Sequence, residues 1–204
     1  MKLGIIGLPS SGKTTIFNAL TLGNAPTGQS MGGRFDVLTA VVDVRDERVD
    51  VLSRMFKPEK TTYARITYSD VAGLQKREGE AAGSGLSPQL LNHLAGLEGF
   101  VHVVRAFENA SVPHPDGRVD AVRDLAALDT EFLLNDLGVV ERRIEKINEG
   151  LKKGASKDKA AAQAELALFE QMNATLSADR PLRVLELTDE QQRGLRGYGL
   201  LTLK

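Results

Sequence analysis

The chain opens with a short apolar run, Leu3–Ile6, that stops at a glycine, which predicts a buried parallel strand. A glycine- and serine-rich loop follows over residues 7–12. Lys13–Leu22 then places Ile16, Phe17 and Leu20 on one helical face. Residues 23–36 are rich in Gly, Pro, Thr and Ser and predict a loop. Val37–Val44 is β-branched and reads as a strand. Asp46–Met55 reads as a helix ended by Lys57-Pro58, and Tyr63–Tyr68 alternates as a strand does. A second glycine-rich stretch, residues 72–87, precedes a helix over Gln89–Leu97 and a strand candidate over Phe100–Phe107.

After residue 118 the pattern changes. Asp120–Leu151 and Asp158–Leu176 contain almost no breakers. Leu125, Leu128, Phe132, Leu133, Val139, Val140, Ile144, Ile147 and Leu151 recur at helical spacing, and Leu166, Phe169, Met172 and Leu176 form a facing stripe. A basic turn, residues 152–157, joins the two, so the simplest object is an antiparallel helical hairpin of coiled-coil type. Thr188-Asp189-Glu190-Gln191 is a capping-box pattern before a short helix. Leu200–Leu203 looks like the start of a further strand. The pattern predicts an α/β fold: a mostly parallel sheet flanked by helices, with an inserted helical hairpin. The expected divisions are an α/β domain over 1–118, the hairpin over 119–178, and a return to the first domain over 179–204.

Composition narrows the chemistry. The 204 residues carry 42% apolar side chains, enough for a sizeable core. Lys plus Arg number 26 against 27 Asp plus Glu, so no overall charge draws the chain to nucleic acid or a membrane surface. With no cysteine, thiol catalysis, disulfides and thiolate metal sites are excluded. No signal peptide or membrane-spanning stretch is visible, which predicts a cytoplasmic protein.

Gly7-Leu8-Pro9-Ser10-Ser11-Gly12-Lys13-Thr14 matches G-x-x-x-x-G-K-[ST] in full, between a predicted strand and a predicted helix. Glycines let the backbone curl around Pro9 so that successive N–H groups, including those of Leu8, Ser10, Ser11, Gly12 and Thr15, face phosphate oxygens. Lys13 reaches the β- and γ-phosphates, and the Thr14 hydroxyl ligates Mg2+. The alternative, an ordinary turn with a surface lysine, does not explain four specified residues at fixed spacing across eight positions in that setting. Asp70-Val71-Ala72-Gly73 follows a strand. Such an Asp holds magnesium, and the Gly73 N–H senses the γ-phosphate; the plain alternative is an Asp capping a turn. Thr27, Ser30 and Thr39 are candidate magnesium hydroxyls from the first glycine-rich loop, and the sequence does not choose among them. Leu74 stands where a water-positioning glutamine would sit. Leucine cannot orient water, and Gln75 points elsewhere unless the loop rearranges.

These residues carry a family resemblance. Gly7-Leu8-Pro9 with Gly12-Lys13, Ile16–Thr21, Asp70–Leu74, His102–Glu108, and His114 followed by Gly117, Val119-Asp120 and Arg123-Asp124 resemble the YchF-type Obg-like ATPases, a branch of the translation-factor-related P-loop proteins. The helical hairpin beginning near Thr130-Glu131 fits the same pattern. The resemblance implies a G domain with an inserted coiled coil, Mg2+-dependent hydrolysis of ATP in preference to GTP, and contact with ribosomes or stress pathways. It also implies a catalytic role for His114, which otherwise reads as an exposed loop histidine between Pro113 and Pro115. The chain departs from the family at Ser10-Ser11, where Asn-Val is usual and the asparagine is tied to a monovalent-cation site. It departs again at residues 25–35 and 76–80. The base-reading motif and the TGS-type domain are expected beyond Lys204, so the sequence reads as a truncated member. Two other functions stay open: a GTPase of the Obg class, and a non-hydrolysing nucleotide-binding scaffold. Lys146, Lys152, Lys153, Lys157 and Lys159 near the hairpin tip could meet RNA or ribosomal phosphates, or form a solvated charged face.

Overall fold

The computed structural model describes residues 1–27, 37–71, 86–154 and 158–204. Four strands, β1 (Lys2–Ile6), β2 (Val37–Val44), β3 (Ala64–Val71) and β4 (Gly99–His102), form one sheet in the order β2-β3-β1-β4. β1 runs parallel to β3 and to β4, and β2 pairs antiparallel with β3. The helices are α1 (Lys13–Thr21), α2 (Glu47–Phe56), α3 (Pro88–Ala95), α4 (Ala121–Lys152), α5 (Lys159–Ser177) and α6 (Asp189–Leu195). The mostly parallel α/β sheet and the long helical pair α4–α5 are those the sequence pattern predicts. Among the described residues, no helix is long and apolar enough to cross a membrane.

The chain forms two compact units, Met1–Ala82 with Leu97–Asp124, and Gly83–Gly96 with Leu125–Lys204. In the first, the central strand β1 is hidden on both faces. Ile5 and Ile6 are fully buried, and Ile5, Phe17 and Val103 form a core flanked by Ala40, Tyr68 and Val101. Placing β1 between β3 and β4 brings the ends of all three together, and the loop following β1 leaves the sheet at that shared edge.

The second unit is built on the predicted stripes. Val140 and Ile147 of α4 meet Phe169, Met172 and Leu176 of α5, and Leu182, Leu195 and Leu200 close the cluster. Leu125, placed in the stripe by spacing, is instead exposed. α5 is capped by Asp158, which accepts from Ala161 N, and α6 by the predicted Thr188–Gln191 capping box. Across the hairpin Arg143 donates to both carboxylate oxygens of Glu165, at 2.9 and 2.8 Å, and the Tyr198 hydroxyl donates to the same side chain.

Two strand expectations need correction. The strand predicted over Phe100–Phe107 ends at His102. Beyond it the buried Arg105 needs the carbonyls of Phe107 and Val112, at 3.0 and 2.7 Å, and the chain curls around the guanidinium to supply them. Leu200–Leu203 is a turn rather than a strand. Its donors are already taken: fully buried Asp136 of α4 accepts from Leu201 N (2.9 Å), Thr202 N (2.7 Å) and the Thr202 hydroxyl (2.7 Å). A carboxylate here does the work of a neighbouring strand. The segment then reaches α3, where the Lys204 ammonium donates to the carbonyls of Leu94 and Ala95 at 2.7 and 2.8 Å. Asp136→Ala strands two backbone N–H groups in the core. It is expected to cost about 3 kcal/mol, read as a lower thermal midpoint by circular dichroism; an unchanged midpoint contradicts the bonding described.

Candidate functional site

The site begins with backbone constraint. Gly7 has φ +147, and a Cβ there would lie 2.1 Å from the Val103 carbonyl oxygen and 3.0 Å from Ser11 Oγ. No side chain fits, so the chain can leave β1 beside the residue following β4 only as glycine. Ser10 takes a left-handed conformation at φ 60, and Gly12 caps α1 at φ 102. Leu8, Pro9, Ser10, Ser11 and Gly12 thus form a tight curl, closed by Ser11 N donating to Leu8 O at 3.3 Å.

The N-terminus of α1 is bare. α2, α3, α5 and α6 each receive a capping side chain, from Asp46, Ser87, Asp158 and Thr188. Among the described residues α1 receives none, and its first turn holds no acidic residue. Its amides and dipole are therefore available to an outside anion. Ser11 Oγ, buried in the curl, has no partner among the described residues.

Lys13 lies over the curl. Its ammonium donates to Gly7 O at 2.9 Å and Leu8 O at 2.8 Å. Burial pushes the pKa of this lysine down to about 8, and the nearby Asp70 carboxylate pulls part of the way back. A cation that burial has made easy to discharge, bonded to two backbone carbonyls, gains from an approaching phosphate. Thr14, the next residue, donates from Oγ1 to Asp70 Oδ2 at 2.6 Å. Asp70 is buried near the end of β3, and its Oδ1 has no partner among the described residues. A threonine hydroxyl and a half-satisfied buried carboxylate are hard oxygen donors that fit Mg2+. Thr15 is exposed on the first turn of α1.

The structure therefore brings Lys13 and Thr14 together with Asp70, which lies 56 residues beyond Thr14 in the chain. Gly73, with Leu74 and Gln75, lies outside the described residues, as does Ser30. Thr27 is exposed, near Ala25, which Asn18 grips through both backbone groups at 2.9 Å. Thr39 stands opposite Ser69 on the β2–β3 ladder.

His114 overturns one expectation. It is buried rather than solvent-exposed, at 8%. Asp116 N donates to its Nδ1 at 3.1 Å, which places the ring proton on Nε2, and Nε2 donates to Asp124 Oδ2 at 2.8 Å. Arg123 holds the other oxygen of Asp124 at 2.8 and 3.0 Å. Burial opposes the charge on Asp124, but the bonds from Arg123 and His114 outweigh it and hold its carboxyl below the usual range. His114, Asp116 and Asp124 present ligand-type atoms within 4.8 Å of one another. That trio does not suit a metal, because both ring nitrogens and Asp124 Oδ1 are already engaged. Asp124 and Arg105 organise this loop, and sequence reasoning did not single out either role. The signal available was weak: charged residues beside a loop histidine, with no periodicity to mark them as buried.

The chain is similar to known proteins over its whole length. The family profile described as 50S ribosome-binding GTPase matches residues 2–140. The chain is 33% identical over 201 residues to the ribosome-binding ATPase YchF of Bacillus subtilis (strain 168), covering 98% of this chain and 53% of that protein. It is 37% identical over 203 residues to the protein of that name from Escherichia coli O157:H7, covering 100% of this chain and 54% of that one. The solved structure of the Schizosaccharomyces pombe YchF GTPase superposes with a TM-score of 0.75 at 32% identity, covering 100% of this chain and 54% of that one. The chain spans about half the length of the curated relatives it matches.

Gly7→Ala forces a methyl group into the Val103 carbonyl. The expected cost is about 2 kcal/mol of stability or more, seen as a lowered urea midpoint. A midpoint matching the parent chain would mean that this close approach is not kept in solution.

Proposed function

Because the chain belongs to the 50S ribosome-binding GTPase family, on its YchF-type Obg-like branch, we propose that it is the nucleotide-binding part of a P-loop molecular switch that hydrolyses ATP. The observation that carries this reading is the set of bare amides at α1, the Lys13 ammonium above them, and Thr14 joined to the half-satisfied Asp70. A triphosphate seats its β- and γ-phosphates in the curl of residues 8–15. Lys13 then exchanges the carbonyls of Gly7 and Leu8 for phosphate oxygens, and the amides of Ser10, Ser11, Gly12, Thr14 and Thr15 complete the cradle. Thr14 and Asp70 are the residues that would hold Mg2+, which neutralises charge on the phosphates. Gly73 is assigned the γ-phosphate contact from its place after Asp70 in the sequence.

His114 is proposed to act on the attacking water only after leaving its present bonds. As placed, one ring nitrogen accepts from a backbone N–H and the other donates to a carboxylate, so neither can take a proton from water. Its resting role is to anchor the loop between β4 and α4.

The domain reading carries forward as part of the proposal. Residues 1–118 bind nucleotide, residues 119–178 form an inserted hairpin, and residues 179–204 return to the first domain. The relatives bear names with ribosome binding in them, which supports a ribosomal partner for this chain and a cytoplasmic place of work. The lysines near the hairpin tip are the proposed contact with RNA phosphates, though Lys153 is already paired with Glu149 at 3.2 Å. A GTPase is the second reading, favoured by the family description and by the naming of the fission-yeast relative as a GTPase. Competition between ATP and GTP for the bound site separates the two. Nucleotide held without phosphate release in a single turnover would support the scaffold reading.

Lys13→Ala is expected to weaken nucleoside triphosphate binding about a hundredfold or more by calorimetry; unchanged affinity refutes the phosphate loop. In the free chain Lys13 loses its proton above about pH 8, whereas phosphate restores it. Binding above about pH 8 therefore takes up a proton, and affinity should fall as pH rises, a trend that Lys13→Ala should flatten. His114→Ala should slow phosphate release about a hundredfold without weakening binding. An unaltered rate would leave His114 with its anchoring role alone.

A further inference from the structure

We infer that α3 and the α4–α5 hairpin move together, fastened through residues 199–204, so that the hairpin is coupled to the phosphate site. This coupling rests on the proposed phosphate loop. α3 lies within the residues assigned to nucleotide binding, yet the fold groups Gly83–Gly96 with Leu125–Lys204 and not with the sheet. The chain carrying Gly73, the proposed γ-phosphate contact, runs into α3 at its N-terminal end. α3 therefore stands between the phosphate site in the sequence and the hairpin in the fold.

The joint touches α3 at both ends and the hairpin in its middle. Gly199 takes a left-handed conformation at φ +65, and a Cβ there would lie 2.8 Å from the Cβ of Ala95, the last residue of α3. A side chain would push the two segments apart, so glycine permits this approach. Leu200 enters the apolar cluster with Val140 and Ile147 of α4 and Phe169 and Met172 of α5. Leu201 N and Thr202 N donate to Asp136 of α4, as does the Thr202 hydroxyl. Lys204 then returns to α3, where its ammonium donates to the carbonyls of Leu94 and Ala95 at 2.7 and 2.8 Å. Those carbonyls lie at the negative end of the helix, where a cation is favoured. Burial pushes the pKa of Lys204 down to about 8, and the Asp136 carboxylate pulls it part of the way back, so the two fastenings sense each other's charge.

Leu200, Leu201 and Thr202 are 3%, 1% and 3% exposed, so the middle of the joint is part of a close-packed interior. A shift of α3 is therefore passed to α4 near Asp136 rather than absorbed on the way. From Asp136 to Lys152 at the tip is roughly 24 Å along the helix axis, so a small tilt at the joint becomes a larger displacement of the tip lysines. The coupling acts in both directions. A partner that holds the hairpin changes triphosphate affinity by the same factor as triphosphate changes affinity for that partner.

Hydrogen exchange of the 204-residue chain, read by mass spectrometry with and without a non-hydrolysable nucleoside triphosphate and Mg2+, tests this. The triphosphate is expected to slow exchange about fivefold or more in the phosphate loop, in α3, in residues 199–204 and in α4 around Asp136. Lys204→Met keeps the length of the side chain and removes its charge and donors. It should leave triphosphate affinity and the slowing in the phosphate loop unaltered, and remove about half or more of the slowing in α4. Lys204→Arg, which still donates to carbonyls, should retain the α4 response. Each variant is compared with itself, bound against free, so a lysine that only stabilised the fold would leave the α4 response in place. Slowing confined to the phosphate loop overturns the coupling and leaves the proposed function standing. An undiminished α4 response in Lys204→Met overturns it as well. Failure to bind triphosphate at all, read by calorimetry, overturns the phosphate loop and the coupling with it.

Discussion

The molecule is organised around a set of backbone amides that nothing in the described protein caps. A helix N-terminus left bare is unfavourable, because up to four N–H groups lose their intrahelical partners. Four other helices offset that loss with a side chain, and α1 does not. Further unfavourable features accompany the omission. Gly7 must pass within van der Waals distance of the Val103 carbonyl, Ser10 must adopt a left-handed conformation, and Lys13 must be buried enough to depress its pKa. The bare amides and the buried ammonium are unfavourable alone and gain from a polyanion. The free site therefore holds donors that an anion would satisfy.

The two units solve a related problem with the same residue type. Asp70 and Asp136 are both buried aspartates, yet their surroundings give them opposite assignments. The Asp136 carboxylate is taken up by two amides and a hydroxyl, and it replaces a strand partner for residues 201 and 202. Asp70 receives one hydroxyl and leaves an oxygen over. A buried carboxylate with a surplus lone pair is the mark of a group kept for a ligand, and a saturated one is the mark of scaffolding. His114 and Asp124 belong with the saturated kind in this conformation.

Much of this was legible in the sequence, because local signals and tertiary structure agree there. The phosphate loop needs consecutive residues of fixed type, the capping box spans a single helical turn, and the hairpin stripes repeat along two long helices. Thr14 and Asp70 each carry a magnesium-type motif in the sequence, and they meet because β1, which leads into the loop before Thr14, pairs with β3, which holds Asp70. What sequence could not carry was polar burial. Arg105, Asp124 and Asp136 look like solvent residues by type, and only their partners in the fold make them interior. The same blindness produced both strand errors. Residues 103–107 and 200–203 have strand-forming composition, but Arg105 takes the Phe107 carbonyl and Asp136 takes the amides of Leu201 and Thr202.

Leu74 and His114 together bear on how fast such a switch could run. A leucine offers no lone pair to a water molecule, and the imidazole has both nitrogens engaged among buried partners. Freeing His114 means breaking two hydrogen bonds and leaving Asp124 to Arg123 alone, at a cost of about 2–4 kcal/mol. If hydrolysis runs through that histidine, the resting site would be slowed by a factor of about thirty to several hundred relative to one with the ring released. Anything that loosens the loop between β4 and α4 would then accelerate turnover without touching the phosphates. A partner gripping the chain near Asp116, the exposed member of the cluster, would be placed to do so. The timing of such a switch would rest on the strength of one buried histidine–aspartate pair, while its capacity to bind rests on the bare end of α1.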